Sequence, residues 1–286
     1  MDQIAPGVFV ATEYGNVNVG FLAVAGGAVA IDAPTLPARA RTWREVIEGT
    51  AGRIQYVVLT DAHPDRLFSA GLLGAPIIAA RAAYEQAAAY TDGYWRAIVE
   101  GWGRRYPGAA EELAAVRVAL PEVLLTKRLT LHRGEDEVTV ECVAGAAPGS
   151  VWVRLSGRDV VFVGDTVVTT LHPFFSTVPD TGAWLETLRE LRRDRNAALT
   201  IVPGRGPVCK GGDTKLLSDY LSLARRRVRS LLGAGRPRAD TSSVVAELWP
   251  LFPVPDDERD LVQRRIKAGL DRLYEELRQN SNVEEA

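Results

Sequence analysis

A chain of 286 residues with 47% apolar content and 24% charged residues can bury a sizeable core, which excludes disordered and fibrous classes. Its 34 basic and 36 acidic residues leave a net charge of -2, so no global field draws it to nucleic acid or an anionic membrane, and a small-molecule ligand is the expected partner. The opening residues show no basic leader followed by an apolar run, and no stretch approaches the ~18 apolar residues of a membrane span, which predicts a cytoplasmic protein.

Taken in chain order, short β-branched runs at residues 8–11, 18–25 and 28–32 alternate with Gly-rich turns and predict a meander of strands. A helix is expected over residues 37–48, then a buried strand over 54–60 that ends in the polar segment Asp61-Ala62-His63-Pro64-Asp65-Arg66. After a short strand at 76–79, residues 81–119 carry Trp95, Ile98, Trp102 and Tyr106 at helical spacing, which predicts a helical insert or lid. Such a stripe is more often core than substrate box. Further strands are expected at 128–132, 138–143, 151–155 and 160–163, the last running into Gly164-Asp165. A helix at 182–193 leads to a strand at 199–202 that ends in Pro203-Gly204-Arg205-Gly206. From residue 212 onward the pattern is helical, with breaks at 233–237 and 253–255, so the expected division is a domain over 1–210 and a helical extension over 211–286.

Polar turns at the ends of buried strands are where sites sit, and their order here resembles that of the metallo-β-lactamase superfamily over residues 7–210. The family's first motif, His-x-His-x-Asp-His, falls on Asp61 to Arg66, and its second, Pro-Gly-His-Ser/Thr-Pro-Gly-Ser, on Ala144-Gly145-Ala146-Ala147-Pro148-Gly149-Ser150. Its metal-bridging Gly-Asp falls on Gly164-Asp165, and its Pro-Gly-His-Gly-Pro on Pro203-Gly204-Arg205-Gly206-Pro207. The flanking segments AIDAP and VVFVGDTVV agree. The resemblance implies an α/β fold, a four-layer αββα sandwich with the site at the strand ends, and metal-dependent hydrolysis as the ancestral chemistry.

The departures matter as much as the matches. The resemblance maps the first metal onto Asp61, His63 and Ala146, and the second onto Asp65, Arg66 and Arg205, with Asp165 shared. A guanidinium has no lone pair and a permanent charge, so Arg66 and Arg205 cannot ligate a cation. Asp61, Asp65 and Asp165 would bring three negative charges together, and buried carboxylates need positive partners. The two arginines are placed to supply them and to take the place of the second metal, and they are candidate anchors for an anionic ligand. Asp61, His63 and Asp165 remain as a three-ligand set for one divalent ion, Zn, Mn or Fe, if any cofactor is held.

Two functions follow from different classes. One is a degenerate, non-catalytic site that binds a small ligand or partner. The other is a mononuclear metal hydrolase of an ester, thioester or lactam-like bond, with Asp65 as general base. His172, after the Gly-Asp loop, is a candidate substrate contact or proton carrier, with a loop histidine as the plainer alternative. His132 lies away from the motifs and reads as structural. Cys142 and Cys209 form no disulfide framework or zinc motif and read as buried small hydrophobes. The arginines at 225–229 read as a solvated helix face rather than a nucleic-acid patch. In the extension, Val262, Ile266, Leu270, Leu273 and Leu277 share one helix face. That stripe is expected to pack on its own domain, with a homodimer contact as the alternative.

Overall fold

The computed structural model describes residues 1–14 and 17–284. These residues form two compact units, one of Met1–Val143 with Gly149–Gly164, the other of Ala144–Pro148 with Asp165–Ala286.

In the first unit, β1 (Asp2–Ala5), β2 (Val8–Ala11), β3 (Val19–Val24) and β4 (Gly27–Ile31) form the expected meander, with β1 added at its edge. The sheet continues through β5 (Ile54–Val58), β6 (Ile77–Ala80) and β7 (Val123–Leu125), each parallel to its predecessor. Parallel pairing requires crossovers, and α1 (Pro37–Ala51) supplies the one between β4 and β5. Pro37 stands in its first turn, where a missing N–H costs nothing, and Trp43 and Ile47 are wholly buried on its inner face. β4 and β6 are buried on both faces, which explains their unbroken apolar runs.

The same unit holds an antiparallel set, β8 (Arg128–Arg133), β9 (Asp136–Cys142), β10 (Val151–Leu155) and the start of β11 (Val160–Val168). The two sets meet face to face at Gly20: a Cβ there would lie 2.3 Å from the Phe162 ring of β11. Only a bare Cα accommodates that approach. Between β5 and β6 the chain makes α2 (Pro64–Leu67), one helical turn where a polar turn was expected, because Pro64 presets the helical φ. The insert resolves into α3 (Arg81–Ala88), α4 (Asp92–Arg105) and α5 (Ala110–Ala115). α4 has no buried residue at all.

In the second unit, β11 runs on past the expected end at residue 163 to Val168, all nine of its residues being buried, and β12 (Thr200–Arg205) lies beside it. α6 (Thr181–Leu191) is capped by Asp180, whose side chain accepts from Ala183 N at 2.9 Å, and it buries Trp184, Leu188 and Leu191. The helical stretch comprises α7 (Lys215–Gly233), α8 (Ser242–Leu248) and α9 (Arg259–Glu284). Ile266, Leu270, Leu273 and Leu277 of the α9 stripe are buried within this chain, and Val262 is half-buried. Glu276 ties α9 down from inside: it accepts from Thr181 N at 3.2 Å and Oγ1 at 2.8 Å, and pairs with Arg225 of α7 at 2.8 Å. Arg225 thus faces a buried carboxylate, where a solvated face was expected of the run at 225–229, because a carboxylate buried on α9 needs a cation. Cys209 is buried, Cys142 half-buried, and neither forms a disulfide.

Candidate metal and ligand site

The polar loop after β5 begins with Asp61, 1% exposed, whose Oδ1 accepts His63 N at 2.9 Å and pairs with His63 Nδ1 at 3.0 Å. A carboxylate only accepts, so this contact places the ring proton on Nδ1 and makes Nε2 the lone-pair atom of the neutral imidazole. Asp61 Oδ2 is buried and has no hydrogen-bond partner. Burial works against the charge on Asp61, but Arg66 and then His63 outweigh it and hold the carboxyl below its ordinary range.

α2 carries Asp65 and Arg66. Arg66 is fully buried: its Nε donates to Asp32 Oδ2 at 3.0 Å, and its Nη1 lies 3.8 Å from Asp61 and 3.7 Å from Asp65. Asp32 is therefore part of the site, although as the aspartate of AIDAP it had served only as flanking text. It sits at the end of β4 with φ +55, a left-handed conformation that Asp tolerates better than most side chains. Thr60 holds it there, donating from N at 2.8 Å and Oγ1 at 2.6 Å. Burial pushes Asp32 up to about 6, against the pull of Arg66 and with Asp61 adding to the rise. A polar residue closing a buried strand was the available signal for it.

In the second unit, Asp165 is 1% exposed and both its oxygens lie 3.1 Å from Arg205 Nε. Its neighbour Gly164 has φ +55, and a Cβ on it would lie 2.4 Å from Thr60 Oγ1. The β11 backbone thus runs against the residue that precedes Asp61, which only glycine permits. Arg205 also lies over the Phe174 ring at 5.2 Å, and Arg265 of α9 lies over the same ring at 4.5 Å. Sequence reasoning passed over both Phe174 and Arg265, since a stacked pair so far apart in the chain leaves no local pattern.

His172 is buried in an aromatic cage, stacked on Trp249 at 5.8 Å and edge-on to Tyr220 and Phe252. Burial lowers its pKa, opposed by the Trp249 and Phe252 main chain. His132 is exposed and pairs with Glu137 at 3.2 Å. Ala146, where the family's second motif has its histidine, is buried and offers no ligand atom.

Asp61 and His63 of the first unit hold a carboxylate and an imidazole side by side, donors of the kind that bind a divalent cation, and Asp165 of the second unit is the carboxylate that the family resemblance adds to them. An imidazole beside a carboxylate suits a divalent cation, and the unpartnered Asp61 Oδ2 fits such a role. Of the remaining family positions Asp65 keeps a carboxylate, whereas Arg66, Arg205 and Ala146 have side chains with no lone pair to give.

Comparison with known proteins agrees with this frame. No curated protein matches the chain. Among solved structures, the stereoselective inverting sec-alkylsulfatase Pisa1 from Pseudomonas sp. matches 95% of this chain with TM-score 0.69 and 16% identity. The chain covers 49% of that protein, so it spans about half the length of the alkylsulfatase. A metallo-beta-lactamase family protein from Thermus thermophilus matches over 98% of this chain and 95% of its own, with TM-score 0.66 and 18% identity. A beta-lactamase domain protein from Burkholderia ambifaria matches over 96% and 87%, with TM-score 0.66 and 15% identity. Identities this low establish the fold alone, an α/β arrangement of two sheets with helices and a C-terminal helical stretch. Among the described residues, no helix is long and apolar enough to cross a membrane. The family model described as metallo-beta-lactamase superfamily matches residues 13–205, most of the chain, and with the strand-end loops described above it establishes that the chain belongs to the metallo-β-lactamase superfamily.

Proposed function

We propose that this protein is a metallo-β-lactamase-fold ligand-binding protein with a degenerate site, which takes one divalent cation at most and binds a small molecule. The observation that carries the reading is that arginines stand at two ligand positions, each already fastened to a buried carboxylate: Arg66 to Asp32 at 3.0 Å and Arg205 to Asp165 at 3.1 Å. Two fixed guanidinium charges repel a second cation, and they neutralise the carboxylates that would otherwise demand one. The nearly even charge of the chain fits a small ligand met in the cytoplasm rather than nucleic acid or a membrane surface.

A second reading, a mononuclear hydrolase of an ester-like bond, is favoured by Asp61 and His63, whose carboxylate and imidazole stand side by side, with Asp165 as the third ligand by family position. An ion bound there would supply Lewis-acid polarisation of the scissile bond. The chain's own part would be to orient His63 through Asp61 and to accept a proton at Asp65. Asp65 is 20% exposed where Asp61 is 1% exposed, so it is the carboxylate of this loop that meets solvent. The sulfate ester named for the Pseudomonas enzyme is a bond of this general kind. Elemental analysis of protein purified without chelator or nickel resin tests the main reading. One equivalent or less of Zn, Mn or Fe per chain is expected, and close to two equivalents overturns it.

A further inference from the structure

The insert of the first unit lines an open-sided cavity of about 520 Å³ that the site residues do not use. Its floor and walls are aliphatic or aromatic, with Phe68, Tyr90, Trp95, Val99, Leu113 and Val118 among them, and its charges are one Asp92 and one Arg96. The volume suits a small molecule. The balanced charge offers an ion nothing, so the occupant is neutral where it lies in the cavity. α4, which forms one wall, buries none of its residues, and Trp95 and Trp102 stay half-exposed around Phe68, with ring centroids 5.8 and 5.0 Å away. Aromatic surface of this extent left half-covered is a binding surface by the same physics that builds a core.

Two residues join the cavity to the site. Phe68 lies two positions beyond Arg66, and Tyr90 donates from its hydroxyl to the carbonyl of Ala62, the residue between Asp61 and His63, at 3.2 Å. We propose that this cavity is the tail subsite of the ligand, taking a neutral hydrocarbon chain whose polar end lies at Asp61 and His63. The placement of that polar end rests on the ligand-binding reading above, whereas the apolar occupant follows from the cavity itself.

The test is a homologous series of n-alkanols, hexanol to decanol, titrated into the full chain and followed by tryptophan fluorescence and calorimetry. Kd should fall about fourfold per added methylene until the cavity is filled, the factor expected for removing a CH₂ from water. Val99→Trp, which fills the cavity, should abolish the dependence on chain length. Ala88→Trp at the exposed edge should do the same with little risk to folding, each variant being checked by circular dichroism. His63→Ala should weaken every alkanol by a common factor of about fivefold, the worth of one hydrogen bond, and leave the dependence on length intact. Affinity independent of chain length, or an unchanged series in a folded Ala88→Trp protein, overturns the tail subsite. An unchanged series in His63→Ala overturns its orientation toward the site. These titrations need neither metal nor turnover, so a finding of two bound metals would defeat the proposed function while leaving the cavity to be decided by the series.

Discussion

Replacing Arg66 by Met removes a fully buried charge while keeping most of the side chain's apolar bulk, and leaves Asp32, Asp61 and Asp65 to one another. Breaking a buried pair by deleting one partner costs ~3–5 kcal/mol, chiefly because the stranded carboxylate cannot return to water. Asp32 shows how little margin exists. Even with Arg66 in place burial pushes it from 3.8 up to about 6, and holding it ionised at pH 8 costs about 3 kcal/mol. The sign follows from linkage: with its folded pKa raised, the contribution of Asp32 to stability is full below 3.8 and is lost as pH rises through about 6. Without Arg66 that window extends upward, so the deficit of Arg66→Met should be largest at pH 8 and shrink on going to pH 5.5. Urea denaturation of chelator-treated protein at both pH values measures it. Asp32→Asn with Arg66→Met should recover most of the loss, because no carboxylate at position 32 is then stranded and the amide still accepts from Thr60. Stability within ~0.5 kcal/mol of the parent at pH 8, or a double variant no better than Arg66→Met, would refute the account of Arg66 as the counter-ion of this loop.

Glu276→Ala should cost ~3–5 kcal/mol in urea and speed amide exchange along α9, because it strands Arg225 and the Thr181 donors in the second unit. Fast exchange confined to the end of α9, with no loss of stability, would contradict it. His172 has a lowered pKa, so its contribution to stability is full above 6.5 and lost as pH falls through the folded value. His172→Phe should flatten the decline between pH 7 and 5 relative to the parent, and parallel pH profiles would count against it.

Much of the fold was legible because it is written locally. The apolar runs at residues 8–11 and leading into Asp61 declare buried strands, and the stripe on α9 declares a helical period and a face. β7 escaped because Val123–Leu125 is too short to show a period, and α2 because a Pro-initiated single turn looks like any polar loop. Within the site, the loop positions of Asp61, His63, Asp65 and Arg66 could be read off the chain, but not which carboxylate each arginine would take. Arg66 takes Asp32, a residue 34 positions earlier, and the stack of Arg205, Phe174 and Arg265 depends on a helix at the far end of the sequence. The aromatic cage around His172 is built from Tyr220, Trp249 and Phe252, none of them near it in the chain. Such pairings are tertiary, and a hydrophobic period carries no information about them.

The absence of buried side chains on α4 has an evolutionary consequence. Where α4 faces solvent, as at Ala97, Glu100 and Arg104, it is nearly free of folding constraint, and substitutions there that keep the helix should each change stability by no more than ~0.5 kcal/mol, whereas Trp95 and Trp102 are held against Phe68. Mutations there can accumulate neutrally while the buried carboxylates and arginines stay frozen by their cost of removal. The segment Asp92–Arg105 is accordingly where descendants of this sequence can diverge in what they recognise, by drift and selection on one exposed surface, while inheriting the same interior.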